Sequence, residues 1–266
     1  MIKGLWLWET NYITSKDVIT FCKAGSFNLL FLHIDTAVPH STYQTFLKTA
    51  YDNGIEIHAL GGRRGWALTK YRKDLDAFIN WVNNYQTSSP STERFKGVHL
   101  DIEPYTLPEW AADEPGTVTQ WMDAVTHMIT QFRSTNIPIS IGASVPHWLH
   151  TRLVPNTAET LSHWMISKYD YLALMSYRNV ATGSNSVVSI VQEELTEADA
   201  LGKSIFASLE TGKSNEGPHI SFYNKGRIAL EKAIPEIDAH LQSHPSYKGI
   251  MIHSFKSLRD LSILGY

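Results

Sequence analysis

Three titratable side chains stand at alternate positions in one short apolar run, Gly97–Glu103. If this run is a β-strand, His99, Asp101 and Glu103 share one face, while the Leu and the Ile between them take the other. The apolar face suits contact with a layer of helices, so the three titratable groups would point inward. Because an unpaired buried charge costs several kcal/mol, a purely structural role for all three is unattractive, and the run predicts a functional site.

The spacing of the two carboxyl groups predicts general acid chemistry. With ~3.3 Å of rise per residue, Asp101 would lie roughly 7 Å below Glu103. A negative charge on Asp101 would disfavour ionisation of Glu103, and burial would act in the same direction. A carboxylic acid that stays protonated near neutrality can donate a proton to the leaving oxygen of a sugar. Glu103 is therefore predicted to be the acid of a glycosidase; the alternative is a buried carboxylate pair neutralised by Arg63, Arg64 or Arg178.

Two short motifs carry a family resemblance. Gly97–Glu103 (GVHLDIE) resembles the fourth-strand signature of glycoside hydrolase family 18, the chitinases and endo-β-N-acetylglucosaminidases, in which acidic residues alternate and end in the acid Glu. Met175–Tyr177 resembles the sixth-strand motif of that family. The resemblance implies that Glu103 is the general acid/base, that Asp101 orients the N-acetyl group of the substrate, and that Tyr177 hydrogen-bonds it. The acetamido oxygen of the substrate is then the nucleophile.

Three positions depart from the family pattern. His99 stands where the first acidic residue is expected, and Arg178 follows the Tyr where an Asp is usual. His253 occupies the eighth-strand position at which the family places a Trp floor under the sugar. An N-acetyl substrate therefore does not follow from the motifs alone. A carbohydrate-binding barrel that has lost catalysis is an alternative, against which the intact Asp101 and Glu103 pair argues.

Glu210 predicts a second mechanism, because it ends the predicted seventh strand. Glutamates that end strands four and seven serve a large clan of retaining glycosidases as acid/base and nucleophile, although the Asn that usually precedes the acid is absent here. A separation of ~5–5.5 Å from Glu103 would suit that nucleophile, and ~6.5–9.5 Å would suit an inverting reaction. The alternative is an ion pair of Glu210 with Arg178 or Lys213.

Metal binding is the other interpretation of the polar residues at the strand ends, because His and carboxylate side chains suit a divalent transition metal. The candidates are His33, Asp35, His58, His99, Asp101 and His253. Metal-dependent amidohydrolase barrels carry His-x-His on their first strand, where this chain has Trp6 and Trp8, and there is no HExxH-type pair. No metal and no other cofactor is therefore predicted, and a metal-dependent hydrolase is kept as an alternative.

Further residues at the predicted strand ends and in the loops after them are expected to bind a carbohydrate substrate. They are Trp8, Asp35, His58, Arg63, His99, Tyr105, Trp148, Met175, Arg178 and His253. Aromatic rings among them suit the apolar face of a sugar. Trp110 either stacks on a sugar or packs its own loop down. The loops Asn179–Ser186 and Thr211–Ser221 are expected to close over the substrate.

Short, nearly continuous apolar runs recur along the chain, as in the strands of a parallel sheet that is covered on both faces. They are Gly4–Glu9, Phe27–Asp35, Gly54–Leu60, Gly97–Glu103, Ile137–Ser144, Tyr169–Tyr177, Ser204–Glu210 and Gly249–Ser254. Segments with helical spacing of apolar residues lie between them. They are Lys16–Ala24, Ser41–Asn53, Asp74–Tyr85, Thr117–Ser134, Ala158–Lys168, Val187–Leu201 and Asn224–Ser243, the last with a kink or break expected at Pro235.

Eight strands that alternate with helices predict a single-domain (β/α)8 TIM barrel over residues 1–266. An open doubly wound sheet would usually carry a Gly-rich phosphate turn after its first strand, and Trp8–Asn11 does not resemble one. In a barrel the active site lies where the strands end. The polar strand ends are therefore expected to meet around one site.

The composition of the chain limits the classes of partner that it is expected to bind. The formal net charge of −3 provides no basic footprint, so nucleic acid is disfavoured. No apolar run is long enough to span a bilayer, so a membrane partner is not expected either. Met1–Gly4 leads directly into the first predicted strand without a signal-peptide pattern, which fits an intracellular protein or the mature part of an exported one. Cys22, the one cysteine, is expected to be a small buried hydrophobe.

Overall fold

The computed structural model describes residues 1–266 and contains eight strands. They are β1 (Ile2–Leu7), β2 (Leu29–His33), β3 (Glu56–Gly61), β4 (Gly97–Leu100), β5 (Ser140–Pro146), β6 (Tyr171–Met175), β7 (Ser204–Glu210) and β8 (Tyr247–His253). Neighbouring strands pair in parallel and in chain order, and β1 pairs with β8 to close the barrel. The predicted (β/α)8 barrel is confirmed, and the open sheet is not observed.

Helices follow every strand. The α-helices are α1 (Asp17–Ala24), α2 (His40–Asp52), α3 (Arg72–Ser88), α4 (Pro108–Ala112), α5 (Glu114–Arg133), α6 (Leu161–Lys168), α7 (Val187–Ile190), α8 (Gln192–Leu201), α9 (Gly226–Leu241) and α10 (Phe255–Arg259). Short 3-10 helices lie in the connections, at Thr10–Thr14, Arg64–Ala67, Thr69–Tyr71, Ser91–Glu93, Pro104–Thr106, Leu149–Thr151 and Phe222–Asn224. The segment predicted as one helix over Val187–Leu201 is two helices that meet at Val191.

Pro235 lies inside α9 without dividing it. A proline in a helix interior removes one backbone hydrogen bond. The neighbouring Ala233, Ile234 and Ile237 are buried against the barrel, and this packing holds the helix together across the missing bond. Of the two predicted effects of Pro235, a kink or a break, the break is therefore wrong.

β4 ends three residues earlier than predicted, at Leu100. The backbone N–H of Asp101 still donates to the carbonyl of Gly61 at 3.0 Å, and a 3-10 turn then begins at Pro104. The chain therefore leaves the sheet between Asp101 and Pro104, which has no N–H to continue a ladder. Asp101 and Glu103 consequently lie on the rim of the barrel and not within its wall.

A small cluster of eight buried residues fills the interior of the barrel. It consists of Trp6, Leu29, Phe31, Leu60, Tyr171, Ala173, Phe206 and Met251. The ring of His99 stacks on Phe31 in this interior, with 3.7 Å between ring centroids. Tyr171 fits because Gly142 faces it: a Cβ at Gly142 would overlap the phenol ring. The interior is thus packed solid below the rim.

The main core lies between the outer face of the strands and the helices, where 68 buried residues form one cluster. Leu100 and Ile102 belong to it, which confirms that this face of the fourth strand turns toward the helices. Cys22 is buried as predicted, and burial raises the pKa of its thiol to about 12. None of the helices combines the length and the apolar character needed to cross a membrane.

Candidate active site

Two cavities are lined by residues at the carboxyl ends of the strands. The inner cavity, of about 240 Å³, is lined from β1, β5, β6, β8 and the segments after β4 and β7 by residues that include Trp6, Asp101, Glu103, Tyr105, Tyr177 and His253. The outer cavity, of about 540 Å³, is lined from β1, β2, β3 and α3 by residues that include Trp8, His33, Asp35, Arg63, Trp66 and Asp74. The predicted clustering of polar strand ends is thus divided between two neighbouring spaces.

The two cavities share a thin wall. Trp8 lines the outer cavity and His253 the inner one, and the Trp8 indole N–H donates to Nε2 of His253 at 2.9 Å. Beside this pair, the backbone of Gly62 packs directly on Asp101, where a Cβ would overlap the Asp101 carbonyl. Glycine is therefore required at Gly62 for β3 and β4 to approach so closely above the barrel.

Glu103 is held by a neighbouring phenol. The hydroxyl of Tyr105 donates to Oε2 of Glu103 at 2.8 Å. The Tyr105 ring in turn makes edge-to-face contacts with Trp148 and Trp110, with centroids 5.0 and 6.2 Å apart. Burial and the negative charge of Glu103 both raise the pKa of Tyr105, so this hydroxyl stays a donor. The orientation of the Glu103 carboxyl group is therefore fixed before any substrate binds.

Asp101 is the carboxyl group whose pKa is clearly raised. Burial is the main cause, the negative charge of Glu103 adds to it, and the two together raise the pKa of Asp101 to about 7 despite the opposing effect of His253. Oδ1 of Asp101 is buried and has no hydrogen-bond partner. The sequence predicts a retained proton on Glu103. The structure adds that Asp101 lies one step deeper than Glu103, and burial there raises the pKa of Asp101 itself.

Tyr177 lines the inner cavity, and its hydroxyl makes no hydrogen bond to the protein. Burial, followed by the charges of Glu210, Asp101 and Glu103, raises the pKa of Tyr177 well above its usual value. The phenol therefore remains protonated. It is an uncommitted hydrogen-bond donor on the same cavity as Asp101 and Glu103.

Glu210 is fully engaged by the protein. Its Oε1 accepts the backbone N–H groups of Thr211 and Gly212 at 2.8 and 2.6 Å, and its Oε2 accepts from Nδ1 of His253 at 2.7 Å. Because the indole N–H of Trp8 can only donate, Nε2 of His253 must accept and Nδ1 must carry the proton. Glu210 thereby fixes the tautomer and the orientation of the imidazole. It does not line the inner cavity.

His58 and His99 lie below the site. Both are buried in the barrel, and the Tyr171 hydroxyl is within hydrogen-bonding distance of each, 2.7 Å from Nδ1 of His58 and 3.2 Å from Nδ1 of His99. Burial lowers the pKa of His58 to about 3 and that of His99 well below its usual value, so both rings are neutral. Neither lines a cavity. We assign them a structural role in place of the substrate contact expected from the sequence.

The remaining predicted substrate-binding residues line one or the other cavity. Tyr105, Trp148, Met175, Arg178 and His253 line the inner cavity, and Trp8, Asp35 and Arg63 line the outer one. Trp110 packs on Trp121 and is 9% exposed, so it holds its loop down. Four further residues that line the cavities were not predicted from the sequence: Glu216, Ile220, Trp66 and Trp6. The first three lie in connecting segments without a periodic pattern. Trp6 could have been predicted, because it lies two residues before Trp8 and therefore on the same face of the first strand.

The two loops expected to close over the substrate are joined to each other. The Asn179 side chain donates to the carbonyls of Pro218 and Ser221 at 2.7 and 2.8 Å, and its backbone N–H donates to the carbonyl of His219 at 2.9 Å. The second loop contributes Glu216 and Ile220 to the inner cavity. The second loop is therefore part of the wall of this cavity, and Asn179 joins the first loop to it.

No group of three or more His, Cys, Asp or Glu side chains is arranged to hold a metal ion. The six residues considered for such a site are separated by the fold. His58 and His99 lie within the barrel, His33 and Asp35 line the outer cavity, and Asp101 and His253 line the inner one. The strand-end histidines do not converge.

No protein-family model matches this chain, and a comparison with curated protein sequences finds no match either. Solved structures do share its fold. A chitinase from Bacteroides thetaiotaomicron is 12% identical with a TM-score of 0.59, over 96% of this chain and 90% of that one. A β-mannanase from the blue mussel Mytilus edulis is 9% identical with a TM-score of 0.59, over 97% and 89%.

A D-psicose 3-epimerase is also similar, at 12% identity and a TM-score of 0.57, over 96% of this chain and 84% of that one. The three proteins differ in the reactions that their names state. At such low identity the likeness shows the barrel fold and does not choose among these activities. The choice must come from the residues of the site.

Proposed function

We propose that this protein is a glycoside hydrolase whose catalytic centre is the inner cavity, with Glu103 as the general acid. The observation that carries the proposal is the presence of Glu103, Asp101 and Tyr177 around one cavity at the carboxyl ends of the strands. These are the residues to which the resemblance to glycoside hydrolase family 18 assigns the acid, the orienting carboxylate and the hydrogen-bonding phenol. The chitinases and the mannanase among proteins of this fold indicate which glycans to test first.

Glu103 donates the proton that the leaving oxygen needs. As the bond from the anomeric carbon to this oxygen breaks, its electron pair stays on the oxygen, which takes the Glu103 proton and departs as an alcohol. Since Oε2 already accepts the Tyr105 hydroxyl, Oε1 is the atom that carries this proton. Because the carboxyl group is oriented before the substrate binds, less entropy is lost on reaching the transition state of proton transfer.

Asp101 and Tyr177 hold the group that attacks the anomeric carbon. In substrate-assisted hydrolysis this group is the acetamido oxygen of the sugar itself. The free hydroxyl of Tyr177 donates to this acetamido group, and Asp101 accepts its N–H, which draws the oxygen toward the reacting carbon. Water then opens the cyclic intermediate and gives its proton to the Glu103 carboxylate. This step regenerates the acid.

Glu210 is the less suitable second carboxylate. Both of its oxygens accept hydrogen bonds from the protein, one of them from His253, and it does not line the inner cavity. We assign it a positioning role. It orients His253, which lies where family 18 enzymes have an aromatic floor.

The test is turnover of nitrophenyl glycosides and oligosaccharides of N-acetylglucosamine and of mannose, each with and without EDTA. The variants are Glu103→Gln and, as a matched control, Glu56→Gln, which removes an exposed carboxylate at the opposite end of the barrel. We expect Glu103→Gln to lower kcat by roughly a hundredfold or more, as for a lost general acid. The control and EDTA are expected to change little.

Other outcomes identify the alternatives. Activity that EDTA abolishes and Glu103→Gln leaves intact would overturn the proposal in favour of a metal-dependent hydrolase. Binding of these glycans without turnover by the wild type would indicate a carbohydrate-binding barrel instead.

A further inference from the structure

We infer that the outer cavity is a second sugar-binding subsite, so that the substrate is an uncharged oligosaccharide of several rings and not a single-sugar glycoside. This inference rests on the proposed function of the inner cavity and specifies its substrate class. It is carried by the polar groups of the outer cavity, by their balance of charge and by the wall that the two cavities share.

Two hydrogen-bond donors of the outer cavity have no partner. Trp66 is 6% exposed, and its Nε1 is buried without a hydrogen bond. An unsatisfied buried donor costs about 1–3 kcal/mol, which a ligand oxygen in the cavity would recover. Arg63 lines the same cavity, and its guanidinium forms neither a hydrogen bond nor an ion pair with the protein, although its five N–H groups can donate. Both donors are free for a ligand.

The acceptors are also free, and their charges exclude a strongly charged ligand. Asp74 makes no side-chain hydrogen bond, and Asp35 uses only Oδ1, which accepts the N–H of Ala37. Burial lowers the pKa of His33, which leaves a neutral imidazole with one donor and one acceptor. An anion would meet two carboxylates and a cation would meet Arg63. Hydroxyl groups, which both donate and accept, match this mixed set.

The size and the apolar surfaces of the cavity also suit sugar rings. At about 540 Å³ the outer cavity has more than twice the 240 Å³ of the inner one. It is lined by the aromatic rings of Trp8, Trp66 and Phe78 beside the polar groups. Flat aromatic surfaces with a few directed polar groups are the usual make-up of a small-molecule site. The rings would face the apolar C–H surfaces of pyranoses.

The shared wall connects the second subsite to the catalytic centre. A hydrogen bond of 2.9 Å joins the side chains of Trp8 and His253, although Trp8 lines the outer cavity and His253 lines the inner one. A glycan with one ring in the inner cavity reaches the outer cavity with the next rings, across the edge of Trp8. A one-ring nitrophenyl glycoside occupies the inner cavity alone.

The experiment compares kcat/KM for nitrophenyl glycosides of one to four rings, built from N-acetylglucosamine or from mannose. The variant is Arg63→Ala, and the control is Arg64→Ala, since Arg64 is an exposed neighbour of the same type that does not line the cavity. Neither arginine supports the fold through an ion pair. We expect kcat/KM of the wild type to rise with chain length. Arg63→Ala should lower it roughly tenfold on the longest substrates, as for one lost charge-assisted hydrogen bond, and leave the one-ring substrate unchanged.

Chain-length independence of the wild type, or an equal effect of Arg63→Ala on all lengths, would overturn the inference. Glu103→Gln distinguishes this failure from failure of the proposed function, because it should lower turnover by a similar factor at every chain length. If the wild type turns over no substrate, calorimetric binding of the unlabelled tetrasaccharides decides. Binding that weakens in Arg63→Ala but not in Arg64→Ala supports the second subsite, and binding of neither tetrasaccharide contradicts it.

Discussion

Asp101 and Glu103 share one environment but differ in depth, and the deeper Asp101 has a raised pKa. A carboxyl group with a pKa near 7 keeps a proton available beside Glu103 near neutrality, and two interacting carboxyl groups titrate as a pair. That arrangement suits a reaction in which a proton leaves the enzyme in one step and returns in the next. It also has a cost for the folded state, which can be measured.

Replacing Asp101 by Asn should stabilise the protein at high pH. The pKa of Asp101 is raised from 3.8 to about 7 in the fold, so between these values the unfolded chain loses the proton first and stability falls as pH rises. The penalty is complete above pH ~7 and absent below ~4. We expect the difference in unfolding free energy between Asp101→Asn and wild type to grow by on the order of 2–4 kcal/mol from pH 4 to pH 8.

Urea unfolding at several pH values measures this difference. Asp17→Asn is the control, because Asp17 is exposed at the start of α1. A difference for Asp101→Asn that does not vary with pH would contradict the assignment. Asp101→Asn should also lose activity, as expected where a destabilising group serves catalysis.

The imidazole of His253 provides a second prediction at this scale. Burial lowers its pKa, but the hydrogen bond to Glu210 and the charges of Glu210, Asp101 and Glu103 outweigh this and raise it. The N–H of Trp8 opposes protonation, because Nε2 must lose its hydrogen bond before it can take a proton. Trp8→Phe should therefore raise the pKa of His253 further. NMR titration of the imidazole measures this.

The control for Trp8→Phe is Trp81→Phe, since Trp81 contacts His40 and lies away from both cavities. A fall in the pKa of His253 in Trp8→Phe, or an equal shift in both variants, would contradict the tautomer assigned here.

Much of the site at residue level follows from strand parity. Alternation along Gly97–Glu103 predicted which side chains face the barrel axis, and the structure agrees for His99, Asp101 and Glu103. Strand parity predicts whether a side chain points into the barrel, but not how far along the barrel axis it lies. His99 points inward as expected, yet it lies one layer too low to reach a ligand and packs on Phe31 instead.

At the scale of elements, the two loops after β6 and β7 form one unit through Asn179. Asn179→Ala removes two side-chain hydrogen bonds, to Pro218 and Ser221. Looser loops would hold Glu216 and Ile220 less firmly at the inner cavity. We expect KM to rise about three- to tenfold, as for a loss of 0.5–1.5 kcal/mol, with a smaller effect on kcat.

Steady-state kinetics and hydrogen exchange of residues 211–221 measure this effect. The control Asn84→Ala changes an exposed residue of α3. An unchanged KM together with unchanged exchange would show that the loops do not depend on this link.

Element types could be predicted better than element ends. Apolar runs and helical spacing located the strands and most helices, because the hydrophobic period differs between the two. The end of β4 was missed because the alternating pattern continues through Glu103, whereas the sheet ladder stops at Asp101. The break at Val191 was missed because the helical spacing continues through it.

At the scale of the whole molecule, the barrel interior supports stability and the rim supports function. Tyr171→Phe tests this division. Its hydroxyl serves both His58 and His99, so its removal leaves buried imidazole atoms without a partner. We expect a loss of about 1–3 kcal/mol in the unfolding free energy, and no change in kcat/KM, since none of the three residues lines a cavity.

Denaturant unfolding and kinetics well below the unfolding temperature test both parts, with Tyr51→Phe, a change at a residue 49% exposed, as the control. A large fall in kcat/KM of Tyr171→Phe would return His58 and His99 to the list of candidate ligand-binding residues.

The whole barrel thus presents a packed interior, a rim with two cavities, and one carboxyl group, that of Glu103, held by the Tyr105 hydroxyl. The division into two cavities could not be predicted from the sequence, because it depends on the contact of Trp8 with His253, residues separated by nearly the entire chain. The central claim is that Glu103 donates the proton to the leaving oxygen.

The most direct test is the dependence of kcat/KM on the leaving group in Glu103→Gln, because kcat/KM reports the step in which the glycosidic bond breaks. A dinitrophenyl group departs without a proton, whereas a sugar needs one. If Glu103 is the general acid, Glu103→Gln should lose roughly a hundredfold or more on unactivated oligosaccharides and little on the dinitrophenyl glycoside. An equal loss on both substrates would contradict the role of Glu103 as general acid.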